Sequence, residues 1–220
     1  MKKILTLAVA MATAAISMAQ TPEEGTVTVR PEVGMTISTL SGDYCPDDYD
    51  IQPRISTTIG AEVDYQVNSW FGISGGITVS QLGAKLKNCT GCENGKSGHQ
   101  YHSDFPRNIK FDYLNVPLLA NFYVANGLAL KIGIQPAFVI NAKWAGLNIK
   151  DYVDNFDIHV PFGISYEYSN FILDARLSYD LTKVWKKGYE RSYFSCTEEK
   201  EVNDYNSWFS ITIGYKIPID

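Results

Sequence analysis

Eight segments of the chain alternate apolar and polar residues with a period of two, which predicts β-strands. The segment Phe156–Tyr168 shows the pattern clearly, with apolar or aromatic residues at every even distance from Phe156. The predicted strands are Val27–Leu40, Arg54–Val67, Trp70–Lys87, Ile109–Val124, Leu128–Ala142, Asn155–Tyr168, Phe171–Leu181 and Ser207–Ile219. No segment carries a convincing helical period, and no linker or internal repeat divides the chain. A single all-β domain is therefore predicted.

The connections between these segments alternate strictly between short and long. The short ones are Asn68-Ser69, Ala125-Asn126-Gly127 and Ser169-Asn170, and the long ones are Ser41–Pro53, Asn88–Asn108, Lys143–Asp154 and Thr182–Asn206. In a meander, this order places every short turn at one end and every long loop at the other. Short periplasmic turns and long extracellular loops are typical of outer-membrane barrels. The predicted fold is an eight-stranded antiparallel up-and-down transmembrane β-barrel.

The apolar faces of the predicted strands carry no charge, as a lipid-facing surface requires, because a lysine at the bilayer midplane costs about 2–4 kcal/mol. The polar faces mix small residues with large charged ones. The lumen of an eight-stranded barrel is just wide enough for side chains to fill it, so we expect a polar network there. Its predicted members are Arg30, Glu32, Glu62, Asp64, Lys131, His159, Glu167, Asp174, Arg176 and Lys216. A soluble lipocalin-like barrel, with its apolar faces turned inward around a ligand, is the alternative.

Strand length and aromatic residues also favour the membrane. Most predicted strands have about 11–16 residues, compared with about 5–6 in typical soluble sheets. Aromatic residues near the short turns are expected to form an interfacial girdle. They are Tyr65, Trp70, Phe71, Phe122, Tyr123, Tyr166, Tyr168 and Phe171.

The N-terminus has the features of a secretory signal peptide. Lys2 and Lys3 precede a short apolar run, which ends at Ser17-Met18-Ala19. The run is well short of the roughly 20 residues of a spanning helix. We predict a signal peptide at residues 1–19, cleaved after Ala19, and a barrel domain at residues 20–220. Cleavage shifts the formal net charge from -5 to -7, which argues against a nucleic-acid partner.

One segment resembles a known family. Phe111–Tyr123, FDYLNVPLLANFY, is similar to the signature strand of the PorT-like outer-membrane β-barrel family, and Lys131–Phe138, KIGIQPAF, resembles the strand that follows it. The resemblance implies an eight-stranded barrel in the outer membrane of a Gram-negative bacterium and no catalytic residues. The founding member of that family is a component of a protein-secretion system.

The four cysteines all lie in predicted long loops: Cys45, Cys89, Cys92 and Cys196. In an exported chain they predict two disulfides, and three pairings are open. We favour Cys89–Cys92 as a local bridge and Cys45–Cys196 as a link between the outer two loops. The spacing of Cys89 and Cys92 before His99 and His102 also resembles a zinc-ligand set, which is the less favoured alternative.

The sequence offers little support for catalysis. His159 falls on a lumen face with Asp157, Asp174, Ser178 and Asp180 as candidate neighbours, and we interpret it as part of a structural network. No catalytic residue, cofactor or metal site is predicted. Long loops rich in tyrosine and acidic residues suit recognition. We therefore predict a structural, adhesive or binding role, with a narrow porin or an accessory component of a secretion system as the alternative. The expected partners are outer-membrane lipid or lipopolysaccharide and an extracellular or secretion-system protein.

Overall fold

A computed structural model of the chain describes residues 23–42, 49–88, 107–144, 146–185 and 204–219. The strands are β1 (Val27–Gly42), β2 (Tyr49–Asn68), β3 (Phe71–Asn88), β4 (Arg107–Asn115), β5 (Leu118–Ala125), β6 (Leu128–Trp144), β7 (Leu147–Asn148), β8 (Phe156–Tyr168), β9 (Phe171–Asp180), β10 (Asp204–Tyr215) and β11 (Ile217–Ile219). A 3-10 helix spans Lys150–Tyr152. Within the described ranges, no helix has the length and apolar character needed to cross a lipid bilayer.

The strands form one closed antiparallel ring. Around the ring the order is β1, β2, β3, β4 with β5, β6, β8, β9 and β10, and β1 closes the ring by pairing with β10 and β11. β4 and β5 together occupy one place in the ring, between β3 and β6, and β10 and β11 together occupy another. β7 pairs only with the end of β6. The ring therefore has eight strand positions, and the predicted fold is confirmed.

Two predicted strands are interrupted, and each break lies at or beside a proline. The strand predicted at Ile109–Val124 divides into β4 and β5 at Val116 and Pro117, because proline has no N–H to donate to the ladder. The second break, at Lys216 between β10 and β11, lies opposite Arg30, the residue next to Pro31. The chain stays joined to the sheet at the first break, since the Val116 N–H donates to the Pro136 carbonyl at 2.8 Å.

The apolar faces point outward. Ile55, Ile59, Ile132, Phe162 and Ile211 are each at least 45% exposed, whereas the polar residues between such positions are buried. The lipocalin-like alternative is therefore wrong for this chain, because it requires the opposite arrangement. Most of the predicted aromatic girdle also faces outward. Tyr123 is the exception, because it lies on the inward side of β5 between the exposed Phe122 and Val124.

The short turns lie together at one end of the ring, which we call the short-turn end, and the long connections lie at the other, the long-loop end. Gly127 adopts a φ of +67° in one turn, a conformation that glycine reaches easily because it has no Cβ. In the turn after β8, Ser169 rather than Asn170 has the positive φ. Asn170 instead holds the last strand, because its carbonyl accepts from the Lys216 N–H at 2.7 Å and its Nδ2 donates to the Lys216 carbonyl at 3.1 Å.

Candidate functional site

The short-turn half of the lumen contains a cluster of charged side chains around Arg30. Arg30 lies directly opposite Glu62 in the β1–β2 ladder, and its guanidinium bonds the Glu62 carboxylate. It also reaches Glu32 at 2.6 Å and Asp64 at 2.9 Å. The Arg30 side chain is completely buried, so these three carboxylates replace the water that a buried guanidinium has lost.

A second arginine extends the network across the lumen. Arg176 on β9 donates to Glu62 on β2 at 2.6 Å and to Asp174 on its own strand at 2.8 Å. β2 and β9 are not neighbours in the ring, so this pair joins opposite walls. Lys131 on β6 reaches Asp174 at 2.6 Å. The barrel is thus tied together through its interior as well as along its wall.

Glycine on β8 makes room for these contacts. Gly163 stands between Lys131 and Arg176 in register. A Cβ at Gly163 would lie 2.6 Å from the Ala175 carbonyl oxygen and 2.9 Å from Cγ of Arg176. Both approaches are too close for a side chain, so the Arg176 stem can cross this position only because residue 163 is glycine.

Lys216 and Glu167 form a separate pair nearer the short turns. Lys216 Nζ lies 2.5 Å from the Glu167 carboxylate. All ten residues predicted for the lumen network are buried. Nine of them form the charged contacts of the short-turn half, and we call these nine the charged cluster: Arg30, Glu32, Glu62, Asp64, Lys131, Glu167, Asp174, Arg176 and Lys216. Four cations face five carboxylates, so the cluster is close to balanced.

The middle of the lumen is lined by uncharged polar side chains. Thr36, Thr58, Thr78, Ser80, Asn115, Gln135, Ser178, Ser210 and Thr212 are among the residues around a cavity of about 30 Å³. That volume holds a few water molecules at most. Hydroxyl and amide groups can hydrogen-bond such waters, but the space is too small for a solute.

His159, the tenth predicted residue, lies farther toward the long loops. Its Nε2 is 2.9 Å from Asp180 Oδ1, and its ring packs edge-on against Trp208 with centroids 4.6 Å apart. Of its four candidate neighbours, Asp180 is the one it pairs with. Asp174 instead bonds Lys131 and Arg176, and Ser178 lines the cavity.

Tyr113 connects this histidine region to the surrounding strands. Its hydroxyl donates to Asp157 at 2.7 Å and accepts from Asn206 Nδ2 at 3.2 Å. The Asn206 N–H donates to Asp180 at 2.7 Å. These groups lock β4, β8, β9 and β10 to one another.

The long-loop end of the lumen is closed by apolar side chains, which we call the loop-end plug. Its members are Leu40, Leu82, Ala84, Ile109, Phe111, Tyr113, Ala137, Val139, Ala142, Trp144, Ile149, Val153, Val184, Trp185 and Trp208. Two connecting segments cover it, and they meet where Val153 bridges to Trp185. Ile149 is held in place because its N–H donates to the Ala142 carbonyl at 3.0 Å.

Sequence reasoning missed this plug, because it assigned 143–154 and 182–206 to loops and a polar character to the whole lumen. The available signal was the run of apolar residues within those connections, including Ile149, Val153 and Val184-Trp185. Cys45, Cys89, Cys92, Cys196, His99 and His102 lie outside the described residues. Among the residues that are described, no group of His, Cys, Asp or Glu is arranged to hold a metal ion.

Comparison with known proteins agrees with the barrel architecture. Residues 18–186 match the family model described as outer membrane protein beta-barrel domain. No curated protein matches the sequence. Neisserial surface protein A (NspA) shares the fold at 12% identity, with a TM-score of 0.52 over 86% of this chain and 97% of NspA.

Two further solved structures are similar at lower scores. Ail, the attachment invasion locus protein of Yersinia pestis, solved with the heparin analogue sucrose octasulfate, gives a TM-score of 0.48 at 15% identity over 88% of this chain and 99% of Ail. OprG from Pseudomonas aeruginosa gives 0.47 at 10% identity over 90% of this chain and 99% of OprG. The family model spans most of the chain, including the lumen residues from β1 to β9. The chain belongs to the outer membrane protein beta-barrel domain family and is an outer-membrane barrel.

Proposed function

We propose that this chain is a closed barrel that carries a structural, adhesive or binding role on its long extracellular loops. The observation that carries the proposal is the filling of the lumen, with the charged cluster at one end, a cavity of about 30 Å³ in the middle and the loop-end plug above it. A barrel filled in this way offers solutes no path. Its long connections are then the surface with which it meets the exterior, and rigid scaffolds commonly present binding residues on such loops.

The first test is conductance. The purified protein, inserted into planar bilayers, is expected to give no single-channel steps. Heat-modifiable migration on gels shows that the inserted protein is folded. Regular ohmic steps from folded protein would overturn the closed-barrel proposal and favour the narrow porin.

The second test addresses the loops. A variant in which residues 43–48, 89–106 and 186–203 are replaced by short turns keeps the described strands. We expect cells displaying it to lose adhesion to host-type or matrix-coated surfaces, while cells displaying the complete chain adhere. Equal adhesion by the two, at equal surface display, would leave a purely structural role and overturn the adhesive one.

A second candidate is an accessory role in protein secretion, supported by the PorT-like resemblance of Phe111–Tyr123. Of the residues that carry the resemblance, Tyr113 faces the lumen, Pro117 lies at the strand break, and Leu118 is exposed on the outward face. A deletion strain with an unchanged set of secreted proteins would overturn this candidate. Retention of secreted proteins in the periplasm would favour it over adhesion.

The covalent state of the mature chain is part of the same proposal. We infer cleavage after Ala19 and two disulfides, Cys89–Cys92 and Cys45–Cys196. Intact mass of the exported protein tests the cleavage. Peptide mapping without reduction tests the pairing, and either of the other two pairings would overturn the one proposed.

A further inference from the structure

The outward face of the barrel carries positive charge on one side of its long-loop end. Lys85 on β3, Lys110 on β4 and Lys143 on β6 are all exposed on this face, and we call them the lysine patch. Lys110 and Lys143 are direct cross-strand partners. Lys85 pairs with Asn108, and Lys110 pairs with Gly83, so Lys85 and Lys110 are diagonal neighbours. Cross-strand and diagonal neighbours lie about 5 and 7–8 Å apart.

This arrangement is unfavourable for the protein alone, since like charges directly opposite one another destabilise a sheet. Among the residues that the structure describes, none of the three ammonium groups pairs with a carboxylate. Asp112 lies on the same face of β4, and its carboxylate accepts a hydrogen bond from Asn141 at 2.9 Å. Lys150 adds a fourth cation nearby, because its Nζ donates to the Ile140 carbonyl at 3.0 Å.

The position of the lysine patch along the barrel axis places it at the level of the lipid headgroups. The outward residues below it are apolar: Val79 on β3, Leu114 on β4, and Phe138 and Ile140 on β6. The lysines follow within two or three outward positions, where the hydrocarbon band gives way to headgroups. At the same end of β1, β9 and β10 the outward strand residues are uncharged, and include Ser41, Tyr179 and Ser207. Among the described strand residues, the lysines exposed on the outward face at this end lie on β3, β4 and β6.

We propose that the lysine patch binds the phosphate groups of a phosphorylated glycolipid of the outer leaflet, of the lipid A type. The lipid's acyl chains lie along the apolar wall of β3, β4 and β6, and its phosphates lie between the three ammonium groups. Phosphate supplies the negative charge that the Lys110–Lys143 pair does not receive from any described residue. This assignment rests on the membrane orientation of the barrel and is independent of any adhesive role of the loops.

The test measures lipid binding by the full chain in phosphatidylcholine nanodiscs, titrated with diphosphorylated or with dephosphorylated lipid A. Each lysine near a charged membrane surface contributes about 1 kcal/mol, or roughly fivefold in affinity. We expect the diphosphorylated lipid to bind more tightly. The triple variant K85Q/K110Q/K143Q should lose about a hundredfold of that affinity and bind both lipids equally.

Two controls separate charge from structure. The variant K85R/K110R/K143R keeps the charge and is expected to keep the preference for phosphate. K183Q removes a lysine at the same end of the barrel but off the patch, and should leave affinity unchanged, whereas K143Q alone loses about fivefold. Equal binding of both lipids by the unmodified chain, or an unchanged triple variant, would overturn the proposal. Displacement of the lipid by millimolar inorganic phosphate would do the same, since it would indicate a site for free anions.

Discussion

Arg176 on β9 and Glu62 on β2 meet across the lumen, with 2.6 Å between Nη1 and Oε1, although their strands are on different sides of the ring. Glu62 also bonds Arg30 on β1. A single carboxylate therefore holds two buried guanidinium groups from two walls. Glu62 therefore links β2 to a strand across the lumen, in addition to the pairing of β2 with β1 and β3.

Glu62→Gln is expected to lower the free energy of unfolding by about 3–5 kcal/mol, the usual cost of leaving a buried charge without its partner. The amide keeps one acceptor oxygen and turns a donor toward the guanidinium groups. Urea titration in lipid vesicles, followed by tryptophan fluorescence, measures the change. The exposed Glu23→Gln removes the same charge and should change the value by less than about 0.5 kcal/mol. Equal midpoints for the two variants would contradict the role of Glu62.

Gly163→Ala is expected to destabilise the barrel by about 1–3 kcal/mol, the typical cost of overpacking. The new methyl group would meet the Ala175 carbonyl oxygen, which is backbone and cannot move aside. Gly75→Ala is a matched control, since its nearest neighbour is the flexible end of Leu118 at 3.2 Å. The same urea titration compares them, and a smaller loss at Gly163 than at Gly75 would contradict the packing argument.

Tyr113→Phe should lower the free energy of unfolding by about 1–3 kcal/mol, because it leaves buried polar partners without a hydrogen bond. Asp157 loses the hydroxyl that donates to it at 2.7 Å, and Asn206 loses an acceptor. Tyr65→Phe removes a hydroxyl from the outward face, where the ring is 42% exposed, and is expected to be nearly neutral. Thermal and urea unfolding of both variants provide the measurement, and a neutral Tyr113→Phe would show that these hydrogen bonds do not stabilise the lumen.

Trp185→Ala is expected to loosen the loop-end plug, because the indole is 4% exposed and packs edge-on against Phe111 with centroids 6.4 Å apart. Truncating a buried tryptophan to alanine typically lowers the free energy of unfolding by about 3–5 kcal/mol. Trypsin should then cut faster after Lys150 and Lys183, while the strands stay protected. Leu147→Ala, at a side chain 69% exposed, should leave the cleavage rate unchanged. An unaltered digestion pattern in Trp185→Ala would mean that the plug is held by other contacts.

The alternation of residues predicted the strands and the lipid-facing side, since a period of two depends only on positions close together in the chain. Residues such as Arg30 and Glu62 could be placed in the lumen on that basis. Their partners could not, because the Glu62–Arg176 pair joins residues 114 positions apart. The plug was missed for a related reason. Ile149 and Trp185 belong to segments without a regular period of hydrophobic residues. The apolar side chains against which they pack come together only when the ring has closed.

Ring closure has a consequence for biogenesis. The seam between β1 and β10 runs from Glu32 opposite Gly214 to Gly42 opposite Asp204, so the first strand obtains this neighbour only after nearly the whole chain is in place. Until then both margins of the sheet have unsatisfied backbone groups, which invite association with other chains. Closure of the seam removes both margins at once, so the sheet is protected from such association only when the last strand has joined the first.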